Sequence, residues 1–358
     1  MRRVRELGCH LLTSRYSIED LLRYSILLDD YGFDHIKMGD HVLVANSSAN
    51  YPNAQVLLAA IGARTKHARL STAVTDPYRR HPVEIAHWIA TQDQLTQGRA
   101  ALGLGAGEIM NTLPYGIELK RPLTRLREAI EVIKMLWEAS PSNPANYSGE
   151  IFTLKNAYLQ IGCVQKPHPP VYVGAIGKKT KELAGELADG WIGMVTNSPS
   201  ELGEKIRDIE RGAGRSGRGM DAFDVVVTCF TDVDDDPERA YKSVEGAARG
   251  ELVAERMLLE KRTGLKVPED LSIQRMDVTD TTLTKRINEF RALVPRDVVD
   301  EITITGGVDD CISKIERFLD AGATSVMICN LASNQEKVFK IYGKQVFPYL
   351  RENYGISK

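Results

Sequence analysis

The stretch Arg99 to Asn111, RAALGLGAGEIMN, joins an apolar run to a carboxyl group across alternating glycines. Ala100 to Leu104 reads as a buried strand. Gly103, Gly105 and Gly107 leave the backbone almost bare, which suits a sharp turn or a surface that another body must lie against. Glu108 follows the last of them. A carboxylate at the C-terminal end of a buried parallel strand stands where α/β enzymes place their chemistry. Taken alone it reads first as a tight strand-to-helix turn with a first-turn acid favoured by a helix dipole. Recurrence of the layout shifts the reading toward catalysis. Gly8-Cys9-His10, Gly39-Asp40-His41, Ala73-Val74-Thr75-Asp76 and Gly174-Ala175-Ile176-Gly177 each close an apolar run. His10, His41 and Glu108 offer proton donors and acceptors. Gly174 to Gly177, leading into Lys178 and Lys179, can present backbone N–H groups to a phosphate at a helix N-terminus. A glycine-lined surface can accept a flat ring. Asp76-Pro77-Tyr78-Arg79-Arg80 reads instead as a structured turn, His81-Pro82 as a helix start, and Trp88, Trp137 and Trp191 as core. No histidines and carboxylates stand at metal-ligand spacing and there is no nucleophile elbow, so no metal is expected.

The elements that must position these groups alternate along the chain. Strands are expected at Arg5–Leu12, Phe33–Met38, Arg69–Val74, Ala100–Leu104, Pro170–Gly174, Trp191–Thr196, Val225–Thr231 and Ser325–Cys329. Between them lie helical patterns, the first capped by Ser17 and stopped by Gly32. Eight strands alternating with helices fit a (β/α)8 barrel better than an open doubly wound sheet. In such a barrel every strand C-terminus opens on one rim, which would bring the scattered groups together. One barrel domain over 1–358 is expected. It carries a polar surface insertion near 140–160, with a hairpin around Ser148-Gly149, and a helical segment near 237–293.

The 358 residues are 43% hydrophobic and 26% charged with a net charge of -2. That balance gives no basic footprint for nucleic acid. Apolar runs are strand-length, so no membrane span is expected. Five widely spaced cysteines without a CxxC pair fit buried reduced thiols. No signal peptide is read in MRRVRELGCHLL, and a cytoplasmic setting is expected.

GDH at 39–41, STAVTDPYRRHP at 71–82, GRAALGLGAGEIMN at 98–111, QKPHPPVYVGAIG at 165–177 and ELADGWIG at 186–193 together resemble the bacterial luciferase-like superfamily, and within it the branch using the deazaflavin F420. The resemblance runs from Gly8 to about Tyr349. It implies a TIM barrel with the deazaflavin at the strand C-termini, FMN being the alternative cofactor. It implies a non-prolyl cis peptide at Ala73-Val74 behind the ring. It further implies cofactor contacts at Asp40, Thr72, Ala73, Val74, Gly105, Ala106, Gly107 and Asn111, with the phosphate-bearing tail near Gly174, Ala175, Ile176 and Gly177. His41 and Glu108 would line the substrate side, with His10 close by. Relatives are often dimers, so a homodimer or higher homo-oligomer is expected by analogy.

Within that branch the sequence is a mosaic. The glucose-6-phosphate and secondary-alcohol dehydrogenases follow the Asp-His pair with an aromatic stretch ending in Trp; Val42-Leu43-Val44 stands here. TDPYRRHP resembles the TNPYTRHP of methylene-tetrahydromethanopterin reductase, but His10 stands where that enzyme has glutamate and GAGE where it has GPGD. An imidazole with an ordinary pKa of about 6.5 would still suit proton donation to a leaving amine nitrogen. The expectation is an F420-dependent oxidoreductase acting on a small molecule, with methylene-tetrahydromethanopterin as favoured substrate. An FMN-dependent monooxygenase, an F420-dependent alcohol or sugar-phosphate dehydrogenase and, last, a non-catalytic flavin-binding barrel are the alternatives.

Overall fold

A closed parallel barrel forms from the alternating pattern. The computed structural model describes residues 4–45 and 50–355. Strands β1 (Glu6–His10), β2 (His35–Met38), β3 (Arg69–Thr72) and β4 (Ala100–Gly105) are followed by an antiparallel hairpin, β5 (Ala145–Ser148) and β6 (Thr153–Ala157). Then come β7 (Val171–Gly174), β8 (Gly190–Ile192), β9 (Asp224–Val233), β10 (Thr303–Gly306) and β11 (Ser325–Asn330). The order β9-β11-β1-β2-β3-β4-β7-β8 closes because β8 also pairs with β9. Helices α1 (Ile18–Asp30), α2 (Ala54–Gly62), α3 (Pro82–Leu95), α4 (Pro122–Glu138), α5 (Lys178–Leu187) and α6 (Pro199–Arg215) surround the first part of the barrel. They are followed by α7 (Pro237–Ala254), α8 (Arg256–Thr263), α9 (Leu283–Arg291), α10 (Arg296–Ile302), α11 (Val308–Asp320), α12 (Gln335–Ile341) and α13 (Phe347–Tyr354).

Local signals account for most boundaries. Ser17 Oγ accepts from the Asp20 N–H at 3.1 Å and starts α1. Gly32, at φ 77°, ends it in a conformation few other residues adopt. Asn53 caps α2 by accepting from Val56 N–H at 3.2 Å. The five cysteines are buried and unpaired. Trp88, Trp137 and Trp191 are core, the last at 1% exposure.

The structure adds one strand, shortens two and divides the closing helix. β10 is a ninth strand that the pattern did not predict. It pairs in parallel with the C-terminal half of β9, Thr303 opposite Phe230 through Gly306 opposite Val233, beyond the reach of β8. Four residues between two helices are too few for an alternation to stand out. β3 stops at Thr72 rather than Val74, and the Ala73-Val74 peptide is cis. β8 stops at Ile192, not Thr196. The expected closing helix is divided by a π-helical turn over Tyr342–Val346.

Two additions shape the rim. The insertion near 140–160 is the β5–β6 hairpin, and it is tied down by Glu128 of α4. That carboxylate accepts from the N–H groups of Glu150, Ile151 and Phe152 at 2.7, 3.0 and 2.9 Å. The helical segment near 237–293 is α7, α8 and α9. Its apolar faces, including Val244, Ala248, Leu252 and Ile287, cluster with Met110 from the loop after β4 and with Phe230 of β9. The segment therefore sits over the part of the rim that carries Glu108.

Inside the barrel, Ala101, Tyr172, Ile192, Val226 and Met327 meet from β4, β7, β8, β9 and β11. The N-terminal end of the lumen is polar. His35 bonds to Glu6 through Nδ1 and to Ser71 Oγ through Nε2 at 2.8 Å, and Arg69 Nε donates to Glu6 Oε1 at 2.8 Å. Burial alone would raise the Glu6 carboxyl, but His35 and Arg69 hold it well below the usual carboxylate range.

Candidate active site

The loops after β2 and β3 are locked together by one buried carboxylate. Asp40 is 3% exposed. It accepts from Thr75 Oγ1 at 2.6 Å, Arg79 Nη2 at 3.0 Å and Arg80 Nη2 at 3.2 Å. Arg79 also donates through Nε to Asp76 Oδ2 at 2.6 Å, and Asp76 Oδ1 accepts the N–H groups of Tyr78 and Arg79, each at 2.9 Å. The expected structured turn is present. Buried carboxylates persist only when paired and hydrogen-bonded in this way. Asp40 thus acts on the site by fixing the residue that follows it, His41.

His41 and Glu108 come together as anticipated, and Asn111 holds them there. Asn111 Oδ1 accepts from the backbone N–H of Val42 at 2.8 Å and of Leu43 at 3.2 Å. That fixes which end of the amide is oxygen, because an NH2 group cannot face two donors. Its Nδ2 is then left to bond His41 Nδ1 at 2.9 Å and Glu108 Oε2 at 3.1 Å. With Nδ1 accepting, a neutral His41 carries its proton on Nε2 and presents that N–H outward. His41 Nδ1 and Glu108 Oε2 are 3.3 Å apart, and the two side chains are 22% and 36% exposed. Tyr51 packs edge-on against the imidazole at 5.0 Å between ring centroids.

His10 ends β1 beside this pair, but its chemistry differs from the expectation. Burial, then the charges of Lys37 and His41, push its imidazole down to about 4. It is uncharged at neutral pH and is no imidazolium acid there. The difference from an ordinary histidine comes from its burial over a lumen that carries Lys37. The group that does hold a proton near neutrality is Glu251 on α7, which the sequence did not single out. Burial first, then the nearby Glu108 and Glu255 carboxylates, raise it to about 7. An acid and a base displaced from their ordinary values in opposite senses are a frequent mark of proton-handling sites.

The other expected contacts divide into two sets. Thr72 is fully buried, and its hydroxyl bonds the Gly103 carbonyl at 2.7 Å, which clamps β3 to β4 just below the cis peptide. Val74 then projects toward the glycines. A Cβ at Gly105 would lie 2.6 Å from Val74 Cγ2, and one at Gly174 3.0 Å from Val74 Cγ1. These two glycines make room for the bulge, so the flat surface available to a ring is the one the bulge itself presents with Ala73 and the partly exposed Ala106. Gly107 sits at φ 86°, and any Cβ there would meet Tyr78 and Leu119. Next to β4, β7 leads through Ala175 and Ile176 to Gly177 at the start of α5. No side chain caps that helix, and a Cβ on Gly177 would meet only Thr180 Oγ1 at 3.8 Å. Open N–H groups at a helix start beside two lysines fit a phosphate. The rim thus offers a partly exposed apolar surface at Ala73, Val74 and Ala106, a phosphate-type helix terminus one strand away, and proton-handling groups on the neighbouring loops.

Comparison with known proteins agrees with this geometry. A family described as luciferase-like monooxygenase matches residues 5–325. The chain is 30% identical to a 5,10-methylenetetrahydromethanopterin reductase of Archaeoglobus fulgidus, covering 93% of this chain and 96% of that protein. It is 27% identical to an F420-dependent glucose-6-phosphate dehydrogenase of Microbacterium testaceum, covering 97% and 98%. Among solved structures, an F420-dependent secondary alcohol dehydrogenase in complex with an F420-acetone adduct superposes with a TM-score of 0.83 at 25% identity, covering 98% of this chain and 100% of that one. No helix among the described residues is long and apolar enough to cross a membrane.

Proposed function

The chain belongs to the luciferase-like monooxygenase family, and on that premise we propose that it is an F420-dependent oxidoreductase that passes a hydride between deazaflavin C5 and an organic substrate. When bound, F420 supplies the carbon that gives or takes the hydride, and the protein supplies placement and one proton. The observation that carries the reading is the His41–Asn111–Glu108 unit, fixed on the rim directly beside the cis bulge. Ala73, Val74 and Ala106 would support the ring, and the start of α5 the phosphate.

Each residue then has a task at a stated atom. His41 directs Nε2–H toward bound substrate. Glu108, held by Asn111, keeps a carboxylate oxygen free for a proton or a donor group on substrate. Glu251, raised to about 7, holds a proton near neutrality. His10, an uncharged imidazole at the end of β1, is available to accept a hydrogen bond from substrate. Met110 packs with the apolar face of α7 and so ties the loop that carries Glu108 to the helical segment.

For the substrate we propose reduction of methylene-tetrahydromethanopterin. Support comes from the aliphatic wall after His41, where Val42 is 53% exposed, and from the similarity to the reductase of Archaeoglobus fulgidus. A wall without an aromatic ring leaves space for a broad flat substrate to lie over the deazaflavin. The chemistry needs a hydride at the one-carbon unit and a proton on the amine nitrogen it leaves. Glu251 takes over the donor role that the sequence reading gave to His10. The test is a panel in which reduced F420 is mixed with methylene-tetrahydromethanopterin, and oxidised F420 with glucose 6-phosphate and with secondary alcohols. Oxidation of reduced F420 by the pterin alone is expected. Bound F420 with no oxidation above background would remove this substrate.

A further inference from the structure

Lys37 is fully buried on β2, and its ammonium nitrogen has no hydrogen-bond partner. It lies 4.3 Å from the centroid of the Tyr172 ring. Tyr172 is on β7, which does not pair with β2, so the lysine points across the lumen. His10 and Lys37 are register partners on adjacent strands. Neighbouring strands are ~4.8 Å apart, and side chains in register share a face. The imidazole and the lysine stem therefore stand side by side on the inner wall. The carboxylates that could neutralise the ammonium lie at the N-terminal end and are engaged elsewhere. Glu6 is bonded to His35 and Arg69, and Asp224 Oδ1 accepts from Thr324 Oγ1 at 2.6 Å and Ser325 Oγ at 2.7 Å. A positive charge that makes no hydrogen bond, in a low-dielectric barrel, is felt by the next titratable group toward the C-terminal rim. That group is His10.

We propose that Lys37 is a positioning residue of the active site: its sealed ammonium, beside His10 on the inner wall, reserves that imidazole as an uncharged acceptor. The task of His10 toward substrate rests on the function proposed above, whereas the link between Lys37 and His10 does not. Burial brings Lys37 down to about 8, so it keeps its charge at neutral pH. The groups facing it are Glu6 from β1, His35 on its own strand, Arg69 from β3, Tyr172 from β7 and Asp224 from β9; those facing His10 are Lys37 and, from the loop after β2, His41. The arrangement separates two jobs. A charged lysine below keeps one proton off His10, and the carboxyl groups above retain one on Glu251.

The test is the ring titration of His10 by NMR in the cofactor-free protein, its resonance identified by loss in His10→Gln. A wild-type midpoint near pH 4 is expected. In Lys37→Met, which keeps the length and removes the charge, the midpoint should rise by roughly one pH unit. Lys37→Gln is the second variant should the thioether fail to fold. The acid limb of kcat/KM should move by the same amount in the holoenzyme. A wild-type midpoint at the ordinary histidine value overturns the proposal without any variant. So does an unmoved midpoint in either folded variant, or a pH profile lowered uniformly with its limb in place. Failure to bind F420 would overturn the proposed function and leave the NMR result intact.

Discussion

Asn111 satisfies four groups with one amide: two backbone N–H donors, an imidazole nitrogen and a carboxylate. Removing it strands the Val42 and Leu43 N–H groups and frees both His41 and Glu108 to move. Asn111→Ala should therefore cost about 1–3 kcal/mol in thermal or urea unfolding. It should also lower kcat by about 100-fold, the scale of a 1 Å misplacement, with F420 affinity changed much less. Glu108→Gln should cut turnover and leave F420 affinity nearly intact; an unchanged rate would remove its acid–base role. Glu251→Gln should remove the alkaline fall in kcat/KM expected near pH 7 in the wild type, because the amide has no proton to lose there. His41 and Glu108 were legible because each comes within two residues of a glycine that lies just past an apolar run. Asn111 was legible as a site residue but not as the clamp, since the backbone groups it serves lie about seventy positions upstream. Glu251 gave no signal: it is one of many glutamates on an amphipathic helix, and only packing of α7 over the rim brings it near Glu108. Lys37 did leave a trace. A lysine inside the four-residue strand HIKM is buried whichever face it takes, and its contact with the Tyr172 ring shows that it takes the lumen.

At the scale of elements, the site depends on short anchors that hold long excursions. Thr72 bonded to Gly103 fixes β3 at the point where the bulge begins, and Asp40 ties the loops of β2 and β3. The hairpin is the exception, anchored away from the site. Burial raises the Glu128 carboxyl, but three backbone N–H groups outweigh this and bring it below its ordinary value. A lowered folded-state value means that the stabilisation is present above the ordinary carboxylate range and is lost as pH falls through the folded value. Glu128→Ala should lower stability by ~2 kcal/mol or more near neutrality, less at low pH, with kcat and KM unchanged. Differential scanning calorimetry at two pH values checks this. The βα rhythm was readable because eight strands carry apolar runs bounded by glycine or helix caps. β10 was not, because its place is set by the far half of β9, which runs past β8 and needs a partner.

For the whole molecule, two displaced groups give opposite pH dependences of stability. Glu251 is raised from 4.5 to about 7, so its contribution is present below the lower value and is lost as pH rises through the higher. His10 is lowered from 6.5 to about 4, so its contribution is present above the higher value and is lost as pH falls to the lower. Over the shared window the two offset each other. Each has a ceiling of about 3 kcal/mol, reduced because water reaches part of both side chains. His10→Gln should therefore expose a loss of stability on going from acid to neutral pH, and Glu251→Gln a gain. Urea unfolding across that window reads both slopes.

Trp191 Nε1 donates to the Ala175 carbonyl at 2.8 Å, in the turn that leads into α5, so its emission reports on the proposed phosphate end of the site. The direct measurement is a tryptophan-fluorescence titration of the protein with F420 and, in parallel, with FMN. Saturable quenching by F420 at low concentration, with FMN far weaker, is the predicted result. Tight binding of FMN with no response to F420 would contradict it.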